Sequence, residues 1–445
     1  MSAEEPETGQ AATEAEQLLA RLIRFNTVNP PGDERPAQEH LAEHLSAAGF
    51  DCELLGAEHS RPNLVARLRP ADPGADGPRL CYLGHVDTVL ADAGEWSHDP
   101  WSGDLADGFL WGRGALDMKS QVAAEVAAAA SLARSGWRPS RGELLVVTVV
   151  DEETGGALGA HWLTETHPEK VRCEMLVNEG GGGCFEYAGR RLYGVCCAEK
   201  GVFRFTVTTD GVAGHASMPG MGENALLKMA PVLERFAARQ PSYRLTDAPR
   251  AFLRGLGEDP EDPRGSVQRL RAADPRLATM FEPMLGVTFT PTRIRASEKV
   301  NVIPSRAELK VDCRVPPGLG EREVREGIAE VLGEDGDGAW RIEFTERVPG
   351  NSSPLGSQLM ETVAAWVAEH DPGAEVLPVI LPGFTDSRHF REAFPECVAY
   401  GFFPHRHQPL VQTAPLVHGA DERIDVRDLA LATGLYRDLA VRILG

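Results

Sequence analysis

The sequence predicts an α/β protein: a mostly parallel, doubly wound sheet with a smaller ferredoxin-like βαββαβ domain inserted into it. Three observations carry this. Short apolar runs alternate with helix-spaced segments through the N-terminal part of the chain, a rhythm that implies a parallel sheet covered on both faces. Clusters of His, Asp and Glu fall just after those runs, where an open α/β sheet gathers its ligands. Beyond Cys197 the rhythm changes to a single strand, helix, strand, strand, helix, strand series.

The elements follow in order. Residues 12–25 set Leu18, Leu19, Leu22 and Ile23 at helical spacing, and Pro30-Pro31-Gly32 ends that helix. Residues 36–48 repeat the pattern with Leu41 and Leu45 before Gly49. Strands are expected at 63–68, 80–83, 144–150 and 175–177, and helices at 122–132 and 157–163. Residues 107–111 read as a strand running into the glycine-bearing turn Gly112-Arg113-Gly114-Ala115-Leu116-Asp117. In the inserted domain, strands are expected at 202–208, 287–294, 307–315 and 340–345, with helices at 223–236 and 321–332. Residues 241–283 are a polar elaboration between its first helix and second strand. The expected boundaries are an acidic tail at 1–12, the main domain at 13–200 and 350–445, and the insertion at 201–349.

Composition narrows the function. A chain of 445 residues exceeds one ordinary core, and 42% hydrophobic with 25% charged residues is a soluble globular balance. The net charge of −21, from 45 basic against 66 acidic side chains, argues against nucleic acid and anionic membranes as partners. No apolar run reaches the roughly 18 residues a membrane span needs, and no signal peptide is legible. The 8 cysteines show no C-x-x-C spacing, which suits buried thiols in a reducing cytoplasm.

His85 and Asp87 follow one strand, Asp151-Glu152-Glu153 a second and Asn178-Glu179 a third, while Asp117 closes the glycine turn and His418 sits on a late loop. A carboxylate on a tight turn can bridge two cations. Together His85, Asp117, Glu153, Glu179 and His418 supply the ligands that two divalent cations need, with zinc, cobalt or manganese suited to imidazole and carboxylate donors. Period two aims Asp87 to the same side as His85, fitting an acceptor for the imidazole's other N–H. Of two adjacent glutamates, one can bind metal while the other takes a proton from water.

Gly84-His85-Val86-Asp87, Gly112-Arg113-Gly114 with Asp117-Met118-Lys119, Asp151-Glu152-Glu153-Thr154-Gly155-Gly156, Asn178-Glu179-Gly180, Gly214-His215-Ala216-Ser217 and His418-Gly419-Ala420-Asp421-Glu422 run in one order. They resemble the successive motifs of the co-catalytic zinc metallopeptidases and deacylases, the superfamily of aminoacylase, glutamate carboxypeptidase, acetylornithine deacetylase and succinyl-diaminopimelate desuccinylase. The resemblance implies that Asp117 bridges two zinc ions, with His85 and Glu179 completing one site and Glu153 and His418 the other. It implies that Asp87 orients His85 and that Glu152 is general base and then general acid. It further implies that the inserted domain is a lid and homodimer surface, and that His215 reaches a second copy's site to stabilise the oxyanion, assisted by Asn301. Arg388, in Phe384-Thr385-Asp386-Ser387-Arg388, is the expected anchor for a substrate carboxylate, although Pro382-Gly383 replaces the usual paired glycines.

The expected activity is cleavage of an amide next to a free carboxylate in a small molecule. Glu at position 179, where many of the peptidases carry Asp, tilts the reading toward an N-acyl-amino-acid deacylase over a dipeptidase or carboxypeptidase. A metal-dependent binding or assembly protein on the same fold is the rival class, and it has no need of Glu152. A serine hydrolase lacks its G-x-S-x-G turn. Gly180 to Gly183 read as a wall close to substrate. His389, His405 and His407 read as structural, and Cys196-Cys197 as buried filler.

Overall fold

Asn63–Leu68, Arg79–His85, Glu143–Val149 and Met175–Asn178 are almost wholly buried, as apolar strands must be when helices cover both faces of their sheet. The computed structural model describes residues 4–333 and 338–445. Two units form: Met1–Cys197 with Ser353–Val379 and Thr385–Gly445, and Ala198–Ser352 with Ile380–Phe384.

In the first unit the strand path is Asp51–Leu55, Asn63–Leu68, Glu143–Val149, Arg79–His85, Met175–Asn178, Val398–Gly401 and then Arg190–Glu199. The central pairs are parallel and the flanking ones antiparallel. Period two sorts the faces. Cys81, Leu83, Leu145 and Val147 pack with Leu163, Phe390 and Phe394 beneath helices Ala160–Thr166 and Ser387–Ala393. Tyr82 points the other way and donates its hydroxyl to the Tyr436 carbonyl in helix Val426–Leu444. The alanine-rich helix Lys119–Arg134 lies on that side. A Cβ on Gly84 would stand 2.7 Å from Val122 Cγ2, so the missing side chain lets helix and strand approach.

Residues 1–3 lie outside the described part of the expected tail, and from Glu4 onward the chain is helical, as Glu4–Ile23. Ala11 and Ala15 are buried, and Glu14 accepts hydrogen bonds from His44 and Arg134. The early glutamates thus fall at the start of a helix, where negative charge is favoured.

The second unit carries an antiparallel sheet in the order Arg341–Phe344, Phe205–Asp210, Arg306–Val315, Thr288–Arg295. Helices Ala225–Ala238 and Glu321–Leu332 cover it through Met229, Val232, Val324 and Ile328. Both connections that cross the sheet are helical, which gives the ferredoxin-like order. The polar stretch at 241–283 folds as three short helices, Asp247–Leu256, Pro263–Ala273 and Pro275–Phe281. Lys200, 1% exposed, donates from Nζ to the carbonyls of Pro283 and Gly286, each at 2.7 Å, and ties this excursion to the sheet. No helix among the described residues is long and apolar enough to cross a membrane.

Candidate metal centre

At the carboxyl ends of the first unit's parallel strands, five side chains arrive by separate routes. His85 is the last residue of its strand, in register with Val149. Asp117 comes from the turn that Gly114 enters at φ +87, where a Cβ would meet Lys119 and Thr88. Glu153 sits in the single helical turn Glu152–Thr154, entered through Asp151 at φ 72 and left through Gly155 at φ 107. Glu179 follows Asn178 at its strand's end, and His418, itself at φ 60, lies on a loop before strand Arg423–Asp425.

They form two triads that share one carboxylate. His85, Asp117 and Glu179 make the first, and Asp117, Glu153 and His418 the second, with each set of donor atoms within 4.8 Å. His85 Nε2 lies 3.1 Å from Asp117 Oδ1 and 3.9 Å from Glu179 Oε1. His418 Nε2 lies 3.1 Å from the other Asp117 oxygen, Oδ2, and 3.2 Å from Glu153 Oε2. Asp117 therefore offers one oxygen to each side.

The electrostatics fit cations at both positions. Burial alone would raise the Asp117 carboxyl, yet the hydrogen bonds to His418 and His85 hold it far below the carboxylate range. Asp117 and Glu153 push His418 up to about 10, and His85 also rises, burial being outweighed by Asp117 and Asp87. Glu152 goes the other way: burial, then the Glu179 charge, place its carboxyl well above the usual range. Nitrogen and oxygen donors without thiolate, drawn toward positive charge, are a set that zinc, cobalt or manganese accepts.

Asp87 departs in part from expectation. His85 Nδ1 meets the main-chain oxygen of Asp87 at 3.0 Å, with carboxylate Oδ1 farther away at 3.4 Å. The carboxylate instead accepts from Asn29 Nδ2 at 2.8 Å and from the backbone N–H groups of Glu152 and Glu153, each at 3.2 Å. It holds the turn that carries both glutamates.

The network behind that turn left no local signal in the chain. Asp151 accepts from Arg61 Nη1 at 3.1 Å, and Arg61 Nη2 and Nε reach Glu34 at 2.6 and 2.9 Å. Asn29, Arg61 and Glu34 lie in stretches whose only legible signal is a helix stop, because their roles depend on partners far along the chain. Arg61→Met strands the fully buried Glu34 without its counter-charge. We expect it to destabilise the first unit by about 3–5 kcal/mol, read as a shifted urea transition.

The remaining expected residues have local partners of their own. Arg388, on helix Ser387–Ala393, pairs with Glu392 at 3.2 Å. Asn178 Nδ2 donates to Thr385 and Ser387 at 3.2 and 3.1 Å, which ties the Glu179 strand end to that helix. His389 packs 5.1 Å from the His161 ring and is pushed down to about 4 by burial and the adjacent Arg388 charge. The glycine run packs closely on the chain's own backbone: a Cβ on Gly182 would fall 1.8 Å from the Phe403 carbonyl oxygen. Its N–H donates to Gly194 O at 2.6 Å. His215 and Asn301 lie together in the second unit, where Gly214–His215 pairs with Val302–Ile303 and Ala216 N–H donates to Asn301 O at 3.0 Å. His215 is exposed, and its Nδ1 accepts from Ser217 Oγ at 2.8 Å.

Strand ends that gather imidazoles around one shared carboxylate, in a chain that matches a peptidase family profile, define a metal-dependent hydrolase acting on amide bonds. The chain belongs to peptidase family M20/M25/M40, whose sequence profile it matches over residues 81–442. It is 38% identical over 224 residues to a succinyl-diaminopimelate desuccinylase of Xanthobacter autotrophicus, a match spanning 48% of this chain and 54% of that protein. A succinyl-diaminopimelate desuccinylase of Cereibacter sphaeroides is 28% identical over 430 residues, covering 94% and 96%. The M20 metallo-carboxypeptidase Sso-CP2 of Sulfolobus solfataricus shares the fold with a TM-score of 0.69 at 16% identity, covering 96% of this chain and 98% of that one.

Proposed function

We propose that this chain is a dinuclear N-acyl-amino-acid deacylase. The observation that carries the reading is the shared Asp117, one oxygen turned to each triad, with Glu152 beside them. His85 and Glu179 would hold one divalent cation and Glu153 and His418 the other, with zinc the first choice and cobalt or manganese alternatives. Bound there, the cations supply Lewis acidity that polarises the scissile carbonyl and acidifies a water.

The chain's own groups do the rest. Glu152 takes a proton from the attacking water and delivers it to the departing amine nitrogen, and burial helps it keep that proton between the two transfers. Arg388 anchors the amino acid's carboxylate through its fork. His215 of a second copy, with Asn301, stabilises the tetrahedral oxyanion, a contribution of roughly 3 kcal/mol for one such donor. Exposed apolar side chains near His215 or Asn301 in sequence, Val212, Met218, Met221, Leu227 and Val300, support a homodimer formed through the second unit. Free cysteines throughout suit the cytoplasm.

Deacylation is favoured over peptidase activity by Glu179 and by the full-length relatives named desuccinylases. The carboxypeptidase reading stands second, on the Sso-CP2 likeness. A panel of N-acyl amino acids, N-succinyl compounds included, and dipeptides, assayed with zinc, cobalt and manganese, separates them. Turnover of the acyl compounds that chelator abolishes and added metal restores is the expected result. Turnover of dipeptides alone transfers the assignment to the peptidases.

A further inference from the structure

Glu422 is fully buried, lies on the loop that brings His418, and is not itself a candidate ligand. Its Oε1 accepts from the backbone N–H groups of Leu116 at 2.7 Å and Asp117 at 3.0 Å. Its Oε2 accepts from Arg113 Nη1 at 2.6 Å and from the Gly114 N–H at 3.2 Å. The Glu422 carbonyl takes the Gly112 N–H at 3.0 Å. Arg113, 3% exposed, then donates from Nη2 to the main-chain oxygen of His418 at 3.2 Å. One buried ion pair is thus bonded to the backbone of the turn that delivers Asp117 and to the backbone of His418.

From this geometry we propose that Glu422 and Arg113 are positioning residues that set where Asp117 and His418 meet, so that cation binding between Glu153 and His418 depends on them. The His85 and Glu179 position depends on them less, because only Asp117 is shared with it. The inference rests on the dinuclear reading. Its physical basis is that a side chain which fixes a ligand's backbone fixes the ligand atom, and outer partners of this kind are worth about 10- to 100-fold in metal affinity. Three backbone N–H donors and a guanidinium converge on one carboxylate, and charge-assisted bonds of this kind are the strong ones. An amide at position 422 would turn an N–H₂ toward donors and lose half of that set.

The test is a cobalt titration of the metal-stripped full-length chain, followed by visible absorption and by metal content. Wild type should take up two ions per chain in two steps, and His418→Ala identifies the step that belongs to its side. Glu422→Gln should weaken that same step about 10- to 100-fold and change its absorption band, with the other step weakened less. Arg113→Lys, which keeps the charge but loses the fork, should weaken the same step less, and it serves if the glutamine variant does not fold. Two wild-type steps in both variants overturn the proposal. So does equal weakening of both steps, which would mean a pair that merely holds the fold. Wild type that takes up no cobalt overturns the dinuclear reading, and the proposal with it, and is plain before any variant is made.

Discussion

Glu152→Gln is expected to lower turnover by about 100- to 10,000-fold while metal content stays at the wild-type value. Glutamine keeps the volume and the backbone hydrogen bond to Asp87, so the turn should hold. What it loses is a carboxylate able to take up a proton and give it back. Burial first, and then the Glu179 charge, raise the Glu152 pKa, which suits a group that must carry a proton between water and the leaving nitrogen. Turnover per metal-loaded chain, with metal measured on the same sample, checks it. A variant with wild-type turnover removes Glu152 from the chemistry and favours a binding role for the site.

Asp117→Asn should have the larger effect on metal. The carboxylate serves both triads with oxygens 3.1 Å from His85 and His418, and an amide has only one oxygen to offer. One triad must then face N–H₂ and lose its negative charge. We expect affinity at that position to fall at least about 100-fold, beyond what an outer partner costs, and turnover to fall to background. Metal content after dialysis against buffered zinc measures it directly. Equal metal occupancy in variant and wild type would mean that Asp117 is not shared between two ions.

Four of the five candidate ligands were legible because each stands where chain direction announces it. His85 and Glu179 end apolar strands, Asp117 closes a glycine turn, and Glu153 follows a strand after two other acids. The ferredoxin-like order was legible for a similar reason, since amphipathic period and strand alternation are local signals. What holds those ligands was not. Arg61 meets Asp151 ninety residues away, and Glu422 grips amides more than three hundred residues earlier, contacts that no local pattern encodes. Asp87 shows the boundary. Its position beside His85 is a matter of period two, but the amides its carboxylate accepts belong to a turn brought in by another strand. The N-terminal helix starts earlier than its apolar spacing announces, because glutamates at a helix start and glutamates in a tail have the same composition.

The glycines that follow Glu179 carry one more consequence, for anyone who would redesign this enzyme. Gly181 and Gly182 leave no room for even a methyl group against the backbone of Gly401 and Phe403. Libraries randomised there would return misfolded clones, not altered selectivity. New substrate range has to come from loops that can accept bulk, while this seam stays as invariant as a hinge pin.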